Sequence, residues 1–415
     1  MNNTGGAVAV VGAGAAGLMA AYSAAATGAK VLLFEPNEKV GRKIVITGKG
    51  RCNVTNNCDT DTFLSNVPQN PRFLYSALGA FGVQDTMDFF ESRGVPLKTE
   101  RGNRVFPQSD RSMDIVDALY HAVHQAGVML YHKPVTGIVT DEQTGAVCGV
   151  RTEDRVYPAD RVIIATGGKS YPLTGSTGDG YRFAQELGHT VTTLWPSLIP
   201  LTCSGKDCPR MQGLSLKNVT LTIFENNKKL YSGFGEMLFT HFGISGPLVL
   251  SASSHMRKWN KADYRAEIDL KPALDRPTLD KRILSDFADK QNADFRNALS
   301  ALLPRKMIPI VIEHSGIDPH AKVHSITKKQ RSALITALKQ FSLDITGTRP
   351  IEEAIVTSGG VAVCEVSPKT MQSKKVPGLY FAGEILDVDA YTGGFNLQIA
   401  WSTGWLAGQS AAQED

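Results

Sequence analysis

The 415-residue sequence has little net charge: 44 Lys and Arg against 40 Asp and Glu leave only +4. So small an excess does not imply a nucleic-acid partner, and no long basic stripe is present. The surplus lies within residues 275–345, where solvated helix faces explain it. Cysteine is sparse and scattered, at positions 52, 58, 148, 203, 208 and 364, with no disulfide framework and no Cys-x-x-Cys pair. No metal site is expected, and a reducing cytoplasm fits. Internal repeats and low-complexity linkers are missing as well. The Met1–Gly6 segment lacks Lys and Arg, which argues against reading the apolar run Ala7–Ala26 as a secretory leader. A membrane span is also disfavoured, because three regularly spaced glycines interrupt the run and Glu35 follows it closely. Hydrophobic residues make up 42% and charged residues 20% of the chain, as in ordinary soluble proteins, and its length calls for two or more structural units.

What is present begins with Ala7–Val11, an apolar run that reads as a buried strand. Gly12-Ala13-Gly14-Ala15-Ala16-Gly17 follows, then a small-residue helix to about Ala26 and a second apolar strand ending at Glu35. A Gly-x-Gly-x-x-Gly motif in a strand–turn–helix–strand context is a dinucleotide-binding fingerprint. Gly12 makes the tight turn, Gly14 admits the pyrophosphate, and Gly17 lets helix and strand pack closely. The pyrophosphate then sits at the helix N-terminus, and Glu35 is placed to accept from ribose hydroxyls. Six positions beyond Glu35, the Gly41-Arg42 pair points to FAD rather than NAD.

Further along, helices are expected over Phe73–Arg93 and Ser112–Gly127, and short strands over Val135–Thr140, Val147–Thr152, Arg155–Tyr157 and Asp160–Gly168. After Leu194, Ser215–Phe224 alternates as a strand, Asn226-Asn227 reads as a hairpin turn into Lys229–Tyr231, and Tyr264–Leu270 alternates again. From Pro277 to Leu343 the period is helical. The α/β style returns after Pro350, with a strand at Gly378–Ala382 and a helix from Leu397 to Gly408. The expected fold class is α/β: a discontinuous Rossmann-like FAD-binding domain formed by residues 1–193 and 350–415. Between them lies an inserted domain, 194–349, strand-rich over 194–274 and helical over 275–349.

Ala165-Thr166-Gly167 and Gly383-Glu384 complete a pattern that resembles the two-dinucleotide-type flavoproteins, with Glu384 where Asp is usual. Within that group the chain is similar to the bacterial NAD(P)/FAD-dependent oxidoreductases related to bile-acid reductase and aminoacetone oxidase. The resemblance rests on Gly41-Arg42-Lys43, Thr47–Asn53, Leu238–Pro247 and Val376–Trp401, which together span nearly the whole chain. It implies Gly12, Gly14, Ala15, Ala16 and Gly17 at the pyrophosphate, Glu35 at the ribose, and Arg42 and Lys43 near the adenosine or phosphates. It further implies Val135 beside the adenine, Ala165, Thr166 and Gly167 along the dinucleotide, Gly383 and Glu384 at the ribityl chain, and Gly394, Phe395 and Asn396 at the flavin ring. Arg51 and Asn53 are suited to hydrogen-bond cofactor or substrate, and Cys52 reads as a small packing residue beside the flavin. A dithiol role for Cys52 is disfavoured, because Cys58 lies at a spacing foreign to flavin disulfide reductases.

Flavin carries the redox chemistry, so the protein's tasks are orientation, electronics and water exclusion. The expected reaction is reduction of a small organic substrate with an activated C=C, using NAD(P)H as electron donor. Tyr391 is the first candidate proton donor, ahead of Tyr171 and His241, and a structural role is preferred for His241. Two other functions fit the fingerprint: oxidation of a small amine by oxygen, and binding or modification of RNA. The charge balance weighs against the last. No second Gly-x-Gly-x-x-Gly is present, so the nicotinamide would dock transiently at the flavin face.

Overall fold

The structure is a computed structural model that describes residues 6–413; residues 1–5 of the Met1–Gly6 segment lie outside them. By its contacts the chain forms two compact units, residues 1–197 with 351–415, and residues 198–350.

The core of the first unit is a five-stranded parallel sheet. Its order is Leu379–Phe381, Arg161–Ile164, Val8–Val11, Val31–Phe34 and Met129–Tyr131. Four of these strands are short, almost wholly apolar runs, buried as strands covered on both faces must be. The C-terminal strand sits next to one from mid-chain, so the sheet is completed only when residues far apart in sequence meet. The fingerprint helix, Ala15–Ala26, packs against the last helix, Phe395–Gln413. Gly404 and Gly408 permit this approach: a Cβ at either would lie 2.4 Å from Ala16 O or 2.3 Å from Ala20 O. Two antiparallel three-stranded sheets flank the core, one of them pairing Thr55–Asn56, Arg104–Pro107 and Leu97–Glu100.

The second unit is a closed antiparallel barrel of six strands with helices packed on it. Around the barrel run Leu201–Cys203, Gly243–Ser245, Lys228–Phe239, Ser215–Glu225, Tyr264–Asp269 and Phe341–Thr348. Closure leaves no free sheet edge. Helices Arg276–Ala288, Ile308–Ser315 and Lys328–Lys339 bury Leu279, Ile283, Ile310, Leu334 and Leu338 in the same core.

Several elements differ from the sequence expectation. The helix expected over Phe73–Arg93 is broken into a 3-10 turn at Pro71–Leu74 and helices Tyr75–Ala80 and Val83–Glu91. The break falls at Phe81, whose backbone is extended, and at Gly82, whose N–H donates to Asp85 at 2.7 Å to start the next helix. Glycine is a poor interior helix residue, and the local cap wins. The helical period read through Leu343 also overran. Phe341, Leu343 and Ile345 are buried at every second position in the strand that closes the barrel. Leu334, Leu338 and Phe341 satisfy a helical spacing by coincidence, and tertiary pairing decides between the two periods. The strand read as Lys229–Tyr231 continues to Phe239, and the last helix extends to Gln413. Among the described residues no helix is long and apolar enough to cross a membrane.

Candidate dinucleotide site

A cavity of about 480 Å³ opens at the carboxyl ends of the sheet strands in the first unit, where open α/β folds bind ligands. The fingerprint builds one wall. Gly12 takes a left-handed φ of 100°, and its N–H donates to Phe34 O at 2.8 Å, tying the turn to the neighbouring strand. At Gly17 a Cβ would lie 1.8 Å from Gly12 O, so only glycine allows this helix to start so close to its own turn. Gly14 differs: a Cβ there would meet no atom within 4 Å. The space in front of Gly14 is the open cradle that a pyrophosphate needs, at a helix start whose first N–H groups lack intrahelical acceptors.

Glu35 is buried at the adjoining end of the cavity. Its Oε2 accepts from the Ala13 N–H at 3.0 Å, and its Oε1 from the Asn37 N–H at 3.0 Å and the Asn37 amide at 2.6 Å. These bonds use both lone pairs of Oε1 and one of Oε2, leaving one on Oε2 for a ribose hydroxyl. Arg42 lies beside it, hydrogen-bonded to the Asn37 side chain. The cavity lining also includes Ala15, Ala16, Val135, Ala165, Thr166, Gly167 and Asn396. Thr166 Oγ1 is buried without a hydrogen-bond partner among the described residues and packs on Gly180, where a Cβ would lie 2.1 Å from it, so this hydroxyl faces away from the cavity.

Lys43 and Glu384 also line the cavity, joined by an ion pair of 2.7 Å in which each side chain is about one-fifth exposed. Glu384 Oε1 accepts from the Thr357 N–H at 2.8 Å and the Ser170 hydroxyl at 3.1 Å. The longer Glu side chain, standing where Asp is usual, is thus held by the 41–43 segment and the Thr357 turn. Gly383 packs on Ala16, where a Cβ would lie 2.7 Å away, and its N–H donates to Thr403 Oγ1 at 2.9 Å.

Gly394, Phe395, Cys52 and Asn53 lie behind the lining. A Cβ at Gly394 would lie 2.3 Å from the Thr55 backbone. The Asn53 amide, with its oxygen toward Gly394, accepts from that N–H at 3.0 Å and donates to Thr55 O and Val105 O. The Asn396 side chain clasps Ala390, accepting from its N–H at 2.9 Å and donating to its carbonyl at 2.7 Å. Tyr391, one residue on, is half-buried, and burial together with Asp389 raises its phenol pKa. Cys52 is fully buried in a left-handed conformation, and burial pushes its thiol up to about 12. Arg51 is not in the cavity wall. It makes a bidentate pair with Glu100 at 2.9 and 3.0 Å, reaches Asp110 at 3.0 Å, and stacks on Phe106 at 3.9 Å.

The sequence reading missed the Pro172–Thr177 loop, Asn37, Lys39, Thr47, Asp179 and Phe183, all of which line the cavity. The small, polar, glycine-containing composition of 174–178 was the available signal. His241 lies in the second unit, in the turn between two barrel strands, and is exposed. Among the described residues no cluster of His, Cys, Asp or Glu could hold a metal.

The parallel sheet, glycine turn and acidic strand end define a Rossmann-type dinucleotide-binding protein. The HI0933-like protein Rossmann domain matches residues 6–410, and the chain belongs to that family. It is 33% identical over 98% of its length to the 3-dehydro-bile acid delta(4,6)-reductase of Clostridium scindens, 99% of which is covered. It is 32% identical over 96% of its length to the ribosomal RNA dihydrouridine synthase of Escherichia coli, covering 96% of that protein. Among solved structures, the 3-ketosteroid delta1-dehydrogenase of Sterolibacterium denitrificans shares the fold, at a TM-score of 0.53 and 13% identity, with 98% of this chain and 99% of that one covered. The chain is accordingly an FAD-dependent oxidoreductase. The open Gly14 cradle and the oriented Glu35 carboxylate fit such a dinucleotide.

Proposed function

We propose that the protein reduces a C=C bond conjugated to a carbonyl, drawing its electrons from NAD(P)H. The observation that carries this reading is chemical: full-length relatives are named as a 3-dehydro-bile acid delta(4,6)-reductase and as a ribosomal RNA dihydrouridine synthase, and each of those names denotes the saturation of a C=C bond. When bound, FAD supplies hydride transfer through its N5 atom. The residues of this chain do the rest. Gly12, Gly14, Ala15 and Ala16 would hold the pyrophosphate, with Gly17 letting the helix start against Gly12, and Glu35 would hold the ribose. Arg42 stands beside Glu35, and Val135 backs the adenine. Ala165, Thr166 and Gly167 border the dinucleotide, with Gly383 and Glu384 at the ribityl chain. Asn396 lines the ring site, and Gly394, Phe395, Cys52 and Asn53 stand behind it. Conjugate reduction also needs a proton at the carbon next to the carbonyl. Tyr391 is our candidate because it belongs to the segment that Asn396 ties to the ring site, the Asn396 amide also donating to the Tyr391 carbonyl at 3.3 Å, and a phenol is protonated at neutral pH, as a donor must be.

The relatives divide on substrate, so the near-neutral overall charge does not settle small molecule against RNA. Anaerobic mixing with NADH and with NADPH tests the reading: one of them should bleach the bound flavin, and a conjugated enone should restore its colour. Bleaching by amines alone would sink the proposal in favour of an oxidase. Tyr391→Phe should retain FAD and its reduction by nicotinamide but slow product formation on the order of a hundredfold or more. Full turnover would remove Tyr391 as donor.

A further inference from the structure

The last helix, Phe395–Gln413, begins at the wall assigned above to the flavin ring. Asn396, Leu397, Ile399 and Ala400 line the cavity, while Gln398 is fully buried behind them. Residues 53 to 56 each make a hydrogen bond to this helix or to the turn that starts it. The Asn53 amide accepts from the Gly394 N–H at 3.0 Å, and Val54 O accepts from Trp401 Nε1 at 2.9 Å. Thr55 Oγ1 donates to Gln398 Oε1 at 2.6 Å, and the Asn56 amide donates to Gly393 O at 2.9 Å.

The Gln398 amide is satisfied on its other side as well. It donates to Ser402 Oγ at 3.0 Å and to Phe81 O at 3.4 Å, and Ser402 Oγ donates to the same carbonyl at 2.6 Å. The helix break at Phe81 thus supplies an acceptor to the last helix. Thr55, Gln398 and Ser402 are wholly buried, beside Trp401, whose ring packs edge-on against Phe90 at 5.7 Å. Polar side chains in such a place cost free energy unless their bonds are made, and apolar groups of the same shape would pack there without that risk. What the bonds add is direction. Apolar contact tolerates sliding, whereas a chain of satisfied bonds fixes one register of strand and helix.

We propose that Thr55 and Gln398 are positioning residues: their bond fixes the start of the last helix at the ring wall, and the fixed start favours the reduced, negatively charged flavin over the oxidised one. This rests on the reading above that places the ring at Asn396. The first N–H groups of a helix lack intrahelical acceptors and carry the positive end of its dipole, so they favour an anion only while held toward it. Little room exists for adjustment, since a Cβ at Gly394 would already lie 2.3 Å from Thr55 O.

The test compares the native protein with Thr55→Ser, Thr55→Val and the double variant Thr55→Val, Gln398→Leu. Thr55→Val orphans Gln398 Oε1 and should lose stability in urea; removing both partners leaves no such orphan and should be close to neutral. The midpoint potential of the bound flavin, read against dyes during chemical reduction, is not moved by a merely structural role. A helix start favours a partly buried anion by roughly threefold to thirtyfold. Loss of a threefold to tenfold part of this in the double variant should make the potential about 15–30 mV more negative. Thr55→Ser keeps the hydroxyl and should keep the parental potential. In the apoprotein, amide hydrogens at 395–397 should exchange faster in the double variant. Parental potential in the double variant would overturn the proposal, and so would unchanged exchange at 395–397 or a Thr55→Ser potential shifted as far as that of Thr55→Val. Faster exchange with an unmoved potential would sink the ring placement along with it. Dye-coupled reduction needs no nicotinamide, so failure of both NADH and NADPH to bleach the flavin would count against the reductase reading alone.

Discussion

Gly14 and Gly17 stand three residues apart in one motif, yet adding a methyl group should do opposite things at the two positions. At Gly17 a Cβ would be 1.8 Å from Gly12 O, and both partners are backbone. Gly17→Ala must push the helix off its turn, an overpacking that costs about 1–3 kcal/mol or more. At Gly14 the backbone is extended, φ −80° and ψ −166°, and no atom lies within 4 Å of a Cβ. Gly14→Ala should therefore leave the apoprotein as stable as the parent, or more stable by about 0.4–1 kcal/mol, because the unfolded chain loses freedom. The added methyl would nonetheless occupy the space for the pyrophosphate. Losing one charge-assisted hydrogen bond of about 1.5–3 kcal/mol weakens FAD binding roughly tenfold to a hundredfold. Urea denaturation of the apoproteins, paired with titration of FAD by fluorescence quenching, separates the two effects. If Gly14→Ala bound FAD with parental affinity, or lost stability without it, the cradle assignment would be wrong.

Other perturbations follow from the same geometry. Gly404→Ala should destabilise the first unit by about 1–3 kcal/mol, measured by urea denaturation, because its Cβ would lie 2.4 Å from Ala16 O. His189 is buried between Glu365 Oε2 at 3.1 Å and Ser373 Oγ at 2.8 Å, and burial lowers its pKa despite the attraction of Glu365. The folded state therefore binds this proton less readily than the unfolded chain. The histidine's contribution to stability is complete above about pH 6.5 and is lost as pH falls below it. His189→Gln should flatten the change in urea midpoint between pH 7.5 and 5, and an unchanged slope would contradict the assignment. Cys52, with its thiol near 12, has no thiolate at neutral pH. It should resist thiol reagents in the folded protein, and Cys52→Ser should transfer electrons at parental rates; loss of transfer with FAD retained would revive a dithiol mechanism.

Some of this protein was legible in the sequence because the information is local. Gly12, Gly14, Gly17 and Glu35 have spacings that make sense only for one turn and one strand end, and a reader needs about thirty residues to see it. The Ala165–Gly167 and Gly383-Glu384 segments are likewise short strand-to-turn signals. The roles of Arg51 and Lys43 were not local. Both are cations in the conspicuous 41–56 stretch, yet Arg51 is held on the Phe106 sheet by Glu100 and Asp110, while Lys43 crosses to Glu384, 341 residues away. Which carboxylate a cation meets depends on how strands are ordered, and no periodicity encodes that. The Phe341–Thr348 strand shows the same limit, since its residues fit a helical spacing until the barrel needs a closing strand. The sequence by itself determined the dinucleotide turn, because steric demands on glycine act between near neighbours. The tertiary structure alone decided which carboxylate each cation meets, because ion pairing acts between chain segments that only folding brings together.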